Sequence, residues 1–174
     1  MVGLNDNRQD ASFVFRSDDD GRTWTDPVQL DRERLRNETA LLHIGKGEWL
    51  AAARAPDLGL YRSEDDARTW NFVGTVTEPG ELPRHLLQLR DGRILLSYGD
   101  RTQNKGIEVR LSSNGGRTWG EPLRLCEFKG DGGYPSSVQL PNGNVVTAYY
   151  ASAVEGHPRY HMGVVLWDPA ASIK

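Results

Sequence analysis

One eight-residue stretch occurs three times in this chain, and the spacing of its copies limits what the rest can fold into. Ser17-Asp18-Asp19-Asp20-Gly21-Arg22-Thr23-Trp24 returns as Ser63-Glu64-Asp65-Asp66-Ala67-Arg68-Thr69-Trp70 and as Ser112-Ser113-Asn114-Gly115-Gly116-Arg117-Thr118-Trp119, with the first serines 46 and 49 residues apart. Each copy carries the parts of a tight turn. A Ser hydroxyl and an Asp or Asn oxygen accept the turn's backbone N–H groups. A small residue tolerates a left-handed backbone, and a Trp is placed to reach back over the hairpin as an apolar anchor.

A second repeat lies between the boxes. Aligned on Gly47, Gly92 and Gly143, the segments Glu38–Ile44, Pro83–Leu89 and Tyr134–Leu140 precede the glycines, and Trp49–Ala53, Ile94–Tyr98 and Val145–Tyr149 follow them. These read as pairs of short strands joined by tight turns such as Asp91-Gly92 and Asn142-Gly143. No run keeps a helical period, so the expectation is an all-β chain. Each unit then has strands A and B, a strand C before the box, the box as the C-to-D turn, and strand D after it. A period near 46–49 residues with four strands per unit points to propeller blades. The expected blades are a partial one over residues 1–30, with strand C at 11–16 and strand D at 24–30, complete ones over 38–76 and 83–125, and a partial one over 134–168. That amounts to about three blades of four-stranded antiparallel sheet. Propellers close with roughly 4–8 blades, and an incomplete one leaves open strand edges. Residues missing upstream are the simpler account; the other is a homodimer sharing blades.

Composition narrows the function classes. A net charge of −3 without a basic block offers no electrostatic case for nucleic acid. No stretch is apolar enough to span a membrane as a helix. The single cysteine, Cys126, leaves no internal disulfide or multi-cysteine metal site and reads as a small apolar strand residue. No His/Asp/Glu spacing supports a catalytic metal, and no cofactor is expected. The N-terminal residues lack signal-peptide regions, which implies a cytoplasmic location if the chain is complete.

The S-x-D-x-G-x-T-W stretch resembles the Asp box, or neuraminidase repeat, of the sialidase superfamily, and the resemblance implies a six-bladed β-propeller of which this chain is a part. The first box fits fully, whereas the second has Ala67 for Gly and the third has Asn114 for Asp. If the φ of Ala67 is positive, the strain there is up to ~1–2 kcal/mol. Blade topology puts the D-to-A and B-to-C loops on the rim opposite the boxes, and the resemblance implies chemistry on that rim. It further implies an anionic sugar as the carbohydrate partner, held by arginines because a planar guanidinium binds a carboxylate through two parallel hydrogen bonds. A Tyr nucleophile assisted by Glu departs from the usual two-carboxylate scheme. Carried over by position, Glu38 and Arg54 resemble the assisting Glu and one carboxylate ligand, Tyr134 the nucleophile, and Arg101 a further carboxylate ligand, with Lys105 a weaker candidate. Tyr150 stands where sialidases often have a Glu. The acid/base Asp and first Arg have no counterpart before Ser17. His85 and His161 read as structural histidines. Two function classes stand open on these grounds: a sialidase-like glycoside hydrolase, and a non-catalytic carbohydrate-binding or assembly propeller.

Overall fold

The computed structural model describes residues 3–6 and 9–171. Among them are fourteen strands in four antiparallel sheets and no helix; none is therefore long and apolar enough to cross a membrane. The chain divides into two compact units, residues 1–77 and 78–174.

The first unit holds a three-stranded sheet, β1 (Gly3–Asp6), β2 (Gln9–Val14) and β3 (Val28–Gln29), and a four-stranded one. The latter comprises β4 (Asn37–Gly45), β5 (Glu48–Arg54), β6 (Leu58–Ser63) and β7 (Asn71–Thr77), paired in chain order. The second unit holds a four-stranded sheet of β8 (Glu81–Gln88), β9 (Ile94–Asp100), β10 (Gly106–Ser112) and β11 (Leu123–Glu127). Its other sheet is three-stranded: β12 (Gly132–Gln139), β13 (Val145–Ala151) and β14 (His161–Trp167). Inner strands are buried on both faces: Leu50, Ala51, Ala52 and Ala53 of β5 and Ile94 to Asp100 of β9 are all inaccessible or nearly so. That is why they read as continuous apolar or small-residue runs rather than as alternation. The edge strand β7 alternates exposed and half-buried residues instead. The first unit has a core of Leu30, Ala51, Ala53 and Tyr61, and the second has one of Leu89, Leu95, Val109 and Val145.

Two expectations need correction. The first sheet is not limited to strands C and D, because β1 pairs antiparallel with β2 and supplies a strand B. The strand D expected over 24–30 contracts to β3, because residues 17–24 form the turn and Trp24 follows it at 63 % exposure. Each incomplete sheet thus has three strands, so a shared blade built from A and B of one copy with C and D of another does not follow from the strand count. Trp24 also fails as an apolar anchor, whereas Trp70 packs on the Leu30–Tyr61 cluster.

The boxes form the turns expected of them. Ser63 Oγ accepts the backbone N–H of Ala67 at 2.9 Å and donates to Asp65 Oδ1 at 2.8 Å. Asp65 in turn accepts the Thr69 backbone N–H at 2.9 Å and its hydroxyl at 2.6 Å. The first box repeats this set around Ser17 and Asp19. In the third, Asn114 Oδ1 accepts the Thr118 N–H at 2.9 Å while its Nδ2 donates to the Thr118 hydroxyl at 2.7 Å. The amide therefore replaces the carboxylate by reversing one hydrogen bond. Ala67 has φ 62 and Asp66 φ 63, so the strain foreseen at that position is present, in a residue whose N–H is held by Ser63. Asp66 also donates its N–H to Gly47 O at 2.8 Å, which places the box beside the A-to-B turn on one rim of its sheet.

The hydrogen bonds from Thr69, its hydroxyl first and then its N–H, hold the Asp65 carboxyl down at about 2, below its ordinary 3.8. A depressed folded-state value means that this contribution is complete above pH 4 and is lost as pH falls from 4 toward 2. Asp65→Asn, which reproduces the third box, is expected to flatten the acid limb of the stability curve by up to about one proton. Urea unfolding at stepped pH measures the slope, and an unchanged acid limb would refute the assignment.

Candidate functional site on the loop rim

Strand A begins with a register shift in each of the three sheets that have one. The shifts fall between Asn37 and Thr39 of β4, between Leu82 and Arg84 of β8, and between Gly133 and Ser136 of β12. Bulges re-aim a side chain and occur often beside functional sites. Glu38 and Tyr134 are thus the bulged residues of equivalent strand positions, on the rim opposite the boxes.

In the first unit Glu38 and Arg54 meet. Arg54 Nη1 donates to Glu38 Oε2 at 2.8 Å, both side chains being partly exposed. The pair spans the ends of β4 and β5, where the A-to-B hairpin brings residues 16 apart together.

In the second unit the rim carries a denser cluster. Arg101 follows β9, Asp131 precedes β12, Tyr150 lies near the end of β13 and Tyr160 stands just before β14. Arg101 Nε donates to Gly132 O at 3.0 Å and its Nη2 donates to the Tyr150 hydroxyl at 2.8 Å. Its Nη2 also lies 3.4 Å from Asp131 Oδ1. The Tyr150 hydroxyl donates to Asp131 Oδ2 at 2.9 Å, and the Tyr160 hydroxyl reaches the same oxygen at 3.4 Å. Tyr134 stands over this group, with its ring centroid 5.9 Å from the Arg101 guanidinium carbon and 5.9 Å from the Tyr150 ring. Its φ of 50 belongs to the left-handed region, which costs a residue with a side chain about 1–3 kcal/mol. The hydrogen bond from Tyr150, with a lesser part from the Arg101 charge, holds the Asp131 carboxyl below its ordinary value. Burial, and then hydrogen bonding to Asp131, pushes the Tyr150 phenol up.

Of the residues singled out from the sequence, Glu38 joins Arg54 and Tyr134 joins Arg101, each pair within its own unit. Asp131 was missed, although Asp131-Gly132-Gly133 immediately before Tyr134 was a local signal for a loop entering a bulge. Tyr150 interacts with a carboxylate rather than replacing one. His85 is structural: its Nδ1 accepts the Ser137 N–H at 3.2 Å, and burial pushes the imidazole down. Asp100, also on this rim, belongs to a buried network with Arg124. Lys105 lines a cavity of about 1050 Å³ framed by the loops that follow β9, β11 and β13. Among the described residues no group of three or more His, Cys, Asp or Glu side chains could hold a metal ion.

Four antiparallel sheets with repeated C-to-D turn boxes define the class, a partial β-propeller with its loop cluster opposite those turns. Within that class the chain belongs to the BNR repeat-like domain family, whose model matches residues 6–147. Among curated protein sequences nothing matches. A Dyadobacter fermentans protein of unknown function is similar at 31 % identity and a TM-score of 0.75, over 92 % of this chain and 46 % of that one. A Penicillium chrysogenum α-L-arabinanase complexed with arabinobiose shares the fold at 19 % identity and a TM-score of 0.70, over 93 % and 55 %. So does a Hadza microbial sialidase, at 17 % identity and a TM-score of 0.64, over 92 % and 38 %. The chain spans about half the length of the first two.

Proposed function

We propose that the chain is part of a carbohydrate-active protein whose reaction is sialidase-like, the hydrolysis of the bond to a terminal sialic acid or a similar anionic sugar. The observation that carries this reading is the meeting of Arg101 with Tyr134, a strained and half-exposed tyrosine on the loop rim. The family and the resemblance to solved glycosidases supply its context. In this proposal the Tyr134 phenol oxygen attacks the anomeric carbon, the bond from that carbon to the aglycone oxygen breaks, and the phenol proton passes through water to the departing oxygen. Water then hydrolyses the tyrosyl glycoside, and Arg101 balances the sugar carboxylate. A neutral phenol approaches an anionic sugar with less repulsion than a carboxylate would. Glu38 and Arg54, which pair with each other in the first unit, enter no step of this proposal.

A fluorogenic sialoside tests the reaction. Turnover by the wild type is expected to fall about 10³-fold or more in Tyr134→Phe, since loss of the nucleophile removes the covalent route, while the thermal unfolding curve is unchanged. A folded protein without turnover sinks the enzymatic reading. One observation favours the second reading, a non-catalytic carbohydrate-binding propeller: Arg54 and Arg101 each already face a carboxylate of this chain. Saturable sugar binding without turnover would support it.

A further inference from the structure

We propose that the loop rim of the second unit carries a subsite for a neutral sugar ring, with Tyr134 and Tyr160 as stacking faces and Asp131 as the acceptor for a sugar hydroxyl. The proposal rests on the carbohydrate reading above but not on its sialidase detail.

Three tyrosine rings stand in a row. Tyr134 and Tyr150 have centroids 5.9 Å apart and Tyr150 and Tyr160 6.0 Å apart, with interplanar angles of 36° and 40°. The middle ring is fixed, because its hydroxyl is held between Asp131 and Arg101. The outer two are 48 % and 67 % exposed, so two aromatic side chains are accessible from solvent on either side of one pinned member. A sugar ring suits such a surface. Its C–H faces carry slight positive charge and meet the negative face of an aromatic ring, while its hydroxyls reach polar groups at the edge. Holding Tyr134 at φ 50 is a cost that the bulge of β12 sustains, and it keeps that ring over Arg101.

Charge decides which sugar. The Arg101 guanidinium has Asp131 at 3.4 Å, and two of its N–H groups are given to Gly132 O and Tyr150. The pair is formally neutral, so a sugar ring seated beside Tyr160 and Asp131 needs no charge of its own. The Asp131 carboxylate is half-exposed, and its weakest partner, the Tyr160 hydroxyl at 3.4 Å, can give way to a sugar hydroxyl. The neighbouring cavity of about 1050 Å³, with Gln103, Asn104, Glu127 and Glu155 among its lining, offers hydrogen-bonding side chains and room for a further sugar unit.

Isothermal titration of the chain with arabinobiose, lactose and 3′-sialyllactose tests this. Wild type is expected to bind a neutral disaccharide with little dependence on salt. Tyr160→Ala should weaken binding about tenfold, equivalent to about 1.4 kcal/mol, whereas Tyr160→Phe should stay within about twofold. Tyr134→Phe should likewise retain binding, since the stacking face survives even where turnover is lost. Binding of sialyllactose alone, or an unchanged affinity in Tyr160→Ala, would overturn the subsite and leave the carbohydrate reading standing. No binding of any of the three sugars would remove both.

Discussion

Arg124→Met is expected to destabilise the second unit by about 3–5 kcal/mol, the cost of removing one partner from a buried ion cluster. Arg124 Nη2 lies 2.8 Å from Asp100 Oδ2 and 2.9 Å from Glu108 Oε1, and both acids are almost fully buried. Glu108 also accepts the hydroxyl of Tyr98, a completely buried ring whose phenol burial pushes well up. One cation therefore serves two carboxylates, and its loss strands both in a poorly solvated place. At Asp100 burial works against the charged form, but hydrogen bonds from Thr102 and Arg124 outweigh it and the carboxyl titrates below its ordinary value. Without Arg124 two of the contributions that favour the charged Asp100 are gone, and the stability that this carboxylate adds above its unfolded value shrinks. Urea unfolding at pH 7 reads the loss. A variant that loses less than about 1 kcal/mol would contradict this account.

The second large effect is expected at Arg36 in the first unit, where replacement by methionine should cost about 3 kcal/mol. Arg36 is 5 % exposed. Its Nη1 meets Asp57 Oδ1 at 2.5 Å, and its Nε donates to the Tyr61 hydroxyl at 3.1 Å. That hydroxyl passes its own proton toward Asp31 Oδ2 at 2.8 Å, and burial, followed by this hydrogen bond, pushes the phenol up to about 12. The figure sits at the lower end of the range because Asp57 is about one-third exposed and rehydrates when its partner goes. Gly59 shows how closely the guanidinium packs, since a Cβ there would stand 2.8 Å from the Arg36 Cζ. A double-mutant cycle with Asp57→Asn should give a coupling of at least about 1 kcal/mol, in the range found for residues in one network. Additive losses would show that the ion pair contributes nothing beyond the packing of the side chain.

These two networks lay outside what the sequence made legible, and the reason is range. Ser63, Asp65 and Thr69 lie within one turn, so the chemistry that folds them is contained in the segment itself, and the substitutions at Ala67 and Asn114 could be judged from it. The A-to-B hairpins are equally local, which is why the approach of Glu38 to Arg54 could be anticipated from their places at the hairpin ends. The pairing of Arg101 with Tyr150, 49 residues away, could not be, because it depends on a loop of one sheet and a strand end of another arriving on one rim. Asp131 escaped notice for the same reason. Trp24 was misjudged because a motif specifies its turn and not what lies over its last residue.

The amino-acid sequence by itself determined the turns, the strand periods and hence the all-β propeller class, since alternation, Gly and Asn at tight turns, and Ser–Asp side chains closing on their own backbone act over fewer than ten residues. Only the tertiary structure decided which acid meets which arginine, where β1 pairs, and how the bulge of β12 carries Tyr134 over Arg101 beside Tyr150. Those outcomes follow from contacts between segments far apart in the chain, and the formal charges of Arg101 and Asp131 acquire their meaning from a 3.4 Å separation that no local pattern encodes.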